Sequence, residues 1–332
     1  MLYEQNGACK NVIMKIVMRL FIMLVTSIFS FSSIGSESLG STQPLRIITN
    51  NWTSQIVLSN VTGEVFRSMG YRVEYLPIST SDQWGAMAHG VAHVQVEVWE
   101  GTMSDMFNRM VKEGGIVDVG THEATTREEW WYPDYVESLC PGLPNWTALK
   151  SCAHIFAESD SAPTGIYYAG PWEKPDEAKI RALGLNFKVN VLPKGDDLWI
   201  KLKQAHSHKK PIILFNWTPN WVESRYSGSF VEFPVFSPEC ETNPNWGVNK
   251  NYLYDCGNPK GGWLKKAAWS GMESTWSCAY QALKNINFDN AQIASVAALV
   301  DVDKLSHEEA AKRWLKRNVG LWKSWIPTGC TQ

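Results

Sequence analysis

Net charge is nearly absent from this 332-residue chain: 31 Lys and Arg stand against 33 Asp and Glu, a formal balance of −2. A chain so close to neutral lacks the basic footprint that phosphate binding demands, which excludes a nucleic-acid binder. It equally lacks the polybasic clusters that hold a protein to an anionic membrane. Long apolar runs are scarce too, and the one over residues 20–29 is too short to cross a bilayer comfortably. No CxxC, GxSxG, HExxH or P-loop sequence occurs, so the usual marks of thiol redox, acyl-transfer, zinc and nucleotide chemistry are missing. His89 and His93 would suit a metal only on a continuous helix, and Gly90 between them breaks it, so neither metal nor cofactor is expected. Internal repeats and low-complexity segments are lacking as well.

The short apolar run follows Lys10, Lys15 and Arg19 and precedes small residues, with Ser33-Ile34-Gly35 a fitting cleavage site. That order of basic, apolar and small residues reads as a secretory signal peptide over 1–37, with Met14 or Met18 as alternative starts and an uncleaved anchor as the competing reading. No Cys follows the run, so a lipid anchor is not expected. Of seven cysteines, Cys9 leaves with the signal. The six that remain favour disulfides in an exported chain. Sequence proximity suggests Cys140–Cys152 and Cys240–Cys256, leaving Cys278–Cys330.

Tryptophan is abundant, with 17 in the chain, and several stand where structure stops. The apolar run Pro211-Ile212-Ile213-Leu214 reads as a buried strand ending near Trp217, because Pro219 cannot continue a central strand. Val94-Gln95-Val96-Glu97-Val98-Trp99 alternates with period two and stops at Gly101. Trp172 lies in a loop marked by Gly170 and Pro171, and Trp52 between a first strand and a helix that Gly70 is placed to end. Indoles at strand ends and in loops are the raw material of an aromatic cage, whose ring faces attract a cation that donates no hydrogen bonds. Core packing competes with that reading at each position. In the non-helical segment 121–136, Glu128 and Glu129 abut Trp130 and Trp131, and a carboxylate beside a cage adds attraction for a cation. A strand–helix–strand opening over 46–76 implies a parallel sheet. Helices are expected over 196–206, from Gly261 to Leu283, and from a capping box at Ser306 through Trp322, with a strand at 231–233.

The strand ending in Trp99, the run Asn216-Trp217-Thr218-Pro219-Asn220-Trp221-Val222 and the segment Trp130-Trp131-Tyr132-Pro133-Asp134-Tyr135-Val136 resemble the substrate-binding proteins of ABC transporters for glycine betaine, choline and related osmolytes. The resemblance spans essentially the whole mature chain. It implies an α/β, two-lobed periplasmic binding protein of type II, with a central hinge and a ligand cleft between the lobes. The lobes are expected at 44–137 plus 232–332 and at 138–231. It further implies a trimethylammonium group held by Trp99 and Trp217, with Trp172 comparably placed; Trp52 is a candidate fourth wall from its own position, in a loop at the same sheet edge as Trp99. Several betaine binders carry His four residues after the first cage Trp, where this chain has Met103. With Arg127-Glu128-Glu129-Trp130-Trp131, that is more similar to the branch that takes trimethylamine N-oxide, in which a glutamate engages the polar end. The implied protein is periplasmic, monomeric and non-catalytic, with a methylated onium compound as ligand and an inner-membrane ABC permease as partner. A secreted carbohydrate-active enzyme and an osmolyte sensor domain are the alternatives.

Overall fold

The computed structural model describes residues 42–158, 163–222 and 225–330, so the signal segment expected over 1–37 lies outside the described residues. Strand β1 (Leu45–Thr49) leads into helix α1 (Thr53–Ser68), whose Val57, Val61, Val65 and Phe66 face the core at helical spacing. Gly70, at φ 96°, turns the chain after the helix. Strand β2 (Val73–Pro77) then pairs parallel with β1, from Leu45 opposite Val73 to Thr49 opposite Pro77. Helix α2 (Gln83–Ala88), the fully buried strand β3 (Val94–Trp99) and helix α3 (Glu100–Glu113) complete this half.

The second half repeats the plan. After β4 (Ile116–Pro133) come the short β5 (Pro141–Pro144) and α4 (Leu149–Cys152). Strand β6 (Gly165–Ala169), helix α5 (Asp176–Leu183), strand β7 (Phe187–Val191), helix α6 (Gly195–Ser207) and strand β8 (Ile213–Thr218) follow. Leu198, Trp199 and Leu202 bury one face of α6, as their spacing predicts. The chain returns through β9 (Gly228–Phe230), α7 (Glu239–Thr242) and β10 (Lys260–Trp269). Helices α8 (Met272–Thr275), α9 (Ser277–Asn285), α10 (Asn290–Asp301), α11 (His307–Arg317) and α12 (Val319–Ser324) close it.

The sheet order is β2-β1-β3-β10-β4-β8-β6-β7, with β9 alongside β4. Its flanks are parallel, as the opening units imply, but its centre is antiparallel: β10 lies between β3 and β4, and β4 pairs with β8. At 18 residues β4 extends on the order of 60 Å. Its first two-thirds pair with β10 and its end with β8, and Arg127 is the crossover, opposite both Lys260 and Thr218. One strand therefore carries residues of both halves toward the space between them.

Three expectations are corrected. The segment from Gly261, read as helix, is strand as far as Trp269. Trp263, Leu264, Ala267 and Ala268 mimic a helical stripe, yet a strand buried between two neighbours need not alternate. Lys266 is buried there because its ammonium donates to the carbonyls of Lys284 and Ile286 at the end of α9. The strand expected at 231–233 is reduced to one bridge between Glu232 and Asn145, and pairing with β4 falls on β9 instead. The helix opened by the Ser306 capping box ends at Arg317, before Asn318, and α12 begins afresh. Disulfides join Cys140–Cys152, Cys240–Cys256 and Cys278–Cys330, with Cα separations of 5.5, 6.2 and 5.5 Å, the spans such bridges need. Among the described residues, no helix is long and apolar enough to cross a membrane.

Candidate functional site

Where the two halves meet, a cavity of about 290 Å³ is lined by Trp52, Trp99, Thr102, Met103, Glu128, Trp172, Phe215 and Trp217. Backbone period explains who reaches it. Residues two apart on a strand share a face, so Phe215 and Trp217 project together from β8. In the antiparallel register Glu128 on β4 stands opposite Trp217, and directly opposed side chains lie on one face about 5 Å apart. Glu129 pairs with Asn216 instead and turns away.

The indole walls come from four segments. Trp52 immediately precedes α1, Trp99 ends β3, Trp172 sits between β6 and α5, and Trp217 lies near the end of β8. Trp172 stands edge-on to two others, 6.1 Å from Trp52 at 85° and 5.3 Å from Trp217 at 84°. Its Nε1 donates to Asn51 Oδ1 at 2.8 Å, tying the second half's loop to the first. The position tolerates no side chain beneath it: a Cβ on Gly170 would come 2.1 Å from the Trp172 ring. Trp199 backs Trp217 with centroids 5.2 Å apart. Trp217 Nε1 is buried and makes no hydrogen bond among the described residues.

Two buried carboxylates flank these rings. Glu128 is 5% exposed, and its Oε1 lies 3.7 Å from the buried ammonium of Lys174. Burial pushes the Glu128 carboxyl above the usual range, and Lys174, the Thr102 hydroxyl and the Gly101 N–H pull it only part of the way back. Lys174 in turn sits 4.0 Å from the centroid of Phe215. Glu97, fully buried behind Trp52 and Trp99, is pushed up to about 7 by burial, against the pull of hydrogen bonds from Trp52, Trp99 and Ser54. Behind it a buried amide network links Gln95, Gln55, Asn50 and Gln83, and Gln83 donates to the Met103 sulfur.

Of the residues singled out from sequence, the fold brings Trp52, Trp99, Trp172, Trp217 and Glu128 together at the cavity. It places Glu129, Trp130 and Trp131 outside the lining. Glu129 pairs with Lys179 at 3.0 Å and accepts the Asn258 N–H at 2.8 Å. Trp130 stacks on Tyr167, centroids 4.0 Å apart, and donates to Asp176. Trp131 is buried against Gly228, where a Cβ would fall 2.0 Å from its ring. Phe215 and Thr102 were not anticipated, although Phe215 sits one period before Trp217. Lys174 and Glu97 were missed too, and Glu97 is legible only as the one charge in a strand whose other residues are uncharged. Among the described residues, no group of three or more His, Cys, Asp and Glu could hold a metal ion.

Residues 43–317 match the family described as the substrate-binding domain of the ABC-type glycine betaine transport system. The trimethylamine N-oxide-binding protein of Pelagibacter ubique (strain HTCC1062) is 37% identical over 318 residues, covering 93% of this chain and 98% of that protein. Among solved structures, lactococcal OpuAC closed on glycine betaine aligns with a TM-score of 0.66 at 16% identity, covering 86% of this chain and all of that one. A choline-binding protein of an ABC transporter, in complex with choline, gives 0.68 at 15%, covering 86% and 95%. The fold is that of the two-lobed periplasmic binding proteins. The chain belongs to the family of substrate-binding domains of ABC-type glycine betaine transport systems.

Proposed function

We propose that this protein captures a small methylated onium osmolyte outside the cytoplasm and delivers it to an inner-membrane ABC permease. Trimethylamine N-oxide stands ahead of glycine betaine, choline and dimethylsulfoniopropionate as the ligand. The observation that carries the reading is Glu128 set into a box of indoles drawn from four separate segments. Ring faces attract a methylated cation by about 0.5–2 kcal/mol each, so four supply roughly 2–8 kcal/mol, and burial of the methyl groups adds to that attraction. An N-oxide adds one demand, a single donor for its oxygen. The raised Glu128 carboxyl meets it when protonated, without the further group a carboxylate ligand would need. Met103, in the place of the His of several betaine binders, lines the same cavity and offers no such group. The 37% identity to a trimethylamine N-oxide-binding protein across nearly both chains favours the same ligand.

In this reading the lobes are 44–137 with 232–332 and 138–231, and a ligand touching Trp52 and Trp99 on one side and Trp172 and Trp217 on the other favours the closed state. Isothermal titration calorimetry of the purified chain against the four osmolytes tests it. Tight uptake of trimethylamine N-oxide is expected. Preference for betaine would move the ligand assignment, and silence from all four would sink the osmolyte reading.

A further inference from the structure

Resting on that onium reading, we infer that the Glu97 carboxylate is a positioning residue of the cage, fixing Trp52 and Trp99 against each other and lending its negative charge to them. One oxygen does the holding. Glu97 Oε2 accepts from Trp52 Nε1 at 2.7 Å, Trp99 Nε1 at 3.0 Å and Ser54 Oγ at 3.1 Å. Trp52 and Trp99 come from chain segments far apart in sequence, yet both indole N–H groups converge on that atom. Their relative tilt is therefore set by the carboxylate, not by the backbone of either segment alone.

The charge has a second consequence. Hydrogen bonds to an ionised acceptor are shorter and roughly twice as strong as neutral ones, and they polarise the donor ring toward a more negative face. Glu97 Oε1 is buried and has no hydrogen-bond partner among the described residues. Burial disfavours its charge and only the three donors favour it, with no cationic side chain contributing. A buried carboxylate without a cation is costly, and an onium held on the far faces of Trp52 and Trp99 supplies the missing counter-charge at short range in a low-dielectric site. Glu97 never needs to touch the ligand to act on it.

The test compares wild type with Glu97→Gln and Glu97→Leu at pH 8, with trimethylamine N-oxide and glycine betaine as calorimetric probes and near-ultraviolet circular dichroism as the report on indole orientation. Gln keeps an acceptor oxygen in place without the charge, and Leu keeps neither. We expect Glu97→Gln to retain the wild-type indole spectrum and lose about fivefold in affinity. Glu97→Leu should lose more than tenfold and change the spectrum. If the Leu variant does not fold, Glu97→Gln decides alone: affinity within twofold of wild type overturns the inference. So does a folded Leu variant that loses thermal stability but keeps its affinity. Wild-type protein that takes up neither probe removes the onium reading itself, an outcome the variants cannot mimic.

Discussion

Glu128 on β4 stands directly across the antiparallel ladder from Trp217 on β8. Through this pair the central strand, which belongs to both halves of the sheet, presents a carboxylate to the indole box. The next pair down, Glu129 opposite Asn216, leads to Lys179 and Asn258. Two adjacent glutamates thus do different work, one at the ligand space and one inside a structural ion pair.

Their separate roles predict separable defects. Glu128→Ala is expected to weaken onium binding at least tenfold, about 1.4 kcal/mol, and also to lower stability, because it strands the buried Lys174. Glu129→Gln is expected to leave affinity within about twofold while lowering stability by roughly 3 kcal/mol, because it strands the 3% exposed Lys179. Calorimetry and urea unfolding on both variants check this. A Glu129 variant that unfolds normally but does not bind would reverse the assignment.

Among the tryptophans, Trp217→Ala is expected to cost at least tenfold in affinity, about 1.4 kcal/mol, in a protein that still folds. Trp130→Phe should keep affinity within about twofold and lose stability, since it gives up the stack on Tyr167 and the bond to Asp176. Binding unchanged in a folded Trp217 variant would return that residue to the core.

Gly170→Ala should act on the site without touching the ligand. The added methyl would lie 2.1 Å from the Trp172 ring, so the indole must move off its bond to Asn51. The expected result is a tenfold or larger loss of affinity with far-ultraviolet circular dichroism unchanged. Wild-type affinity would mean Trp172 is not a wall of the site.

What the chain reveals in one dimension is bounded by how far each determinant reaches. Trp99 and Trp217 were legible because a short strand halted by Gly or Pro is a local signal. The choice between Glu128 and Glu129 was not, because it depends on the pairing register with β8, a strand far along the chain. Trp130 carries the same local signature as the cage residues, and only the packing of α5, whose Asp176 takes its N–H, withdraws it. β10 was misread because its place between β3 and β4 removes the alternation by which strands are recognised. Glu97 stands two residues before Trp99, but its meaning appears only when Trp52, 45 residues upstream, reaches the same oxygen.

His122 ties the stability of the fold to pH. This side chain is 3% exposed, on the part of β4 that pairs with β10. Its Nε2 bonds to the Val96 carbonyl at 2.9 Å, and its Nδ1 accepts the Phe288 N–H at 3.3 Å. Both nitrogens are thus used by the neutral ring, and a second proton would have to sit on Nδ1 against an N–H that already points there. Burial, with the Lys266 ammonium adding to it, lowers the His122 pKa from 6.5 to about 3. For a histidine whose folded pKa is depressed, the unfolded chain takes up the proton first. The stabilising preference for the neutral ring is therefore complete above pH 6.5 and is lost as pH falls from 6.5 toward 3. At pH 5 the loss from this residue is about 2 kcal/mol, one and a half units at about 1.4 kcal/mol each. Urea unfolding of wild type and His122→Gln at pH 7.5 and pH 5 isolates it. Wild type should lose roughly 2 kcal/mol more than the variant over that interval. Parallel losses in the two proteins would mean the ring is protonated in the folded state and that its bond from Phe288 does not form.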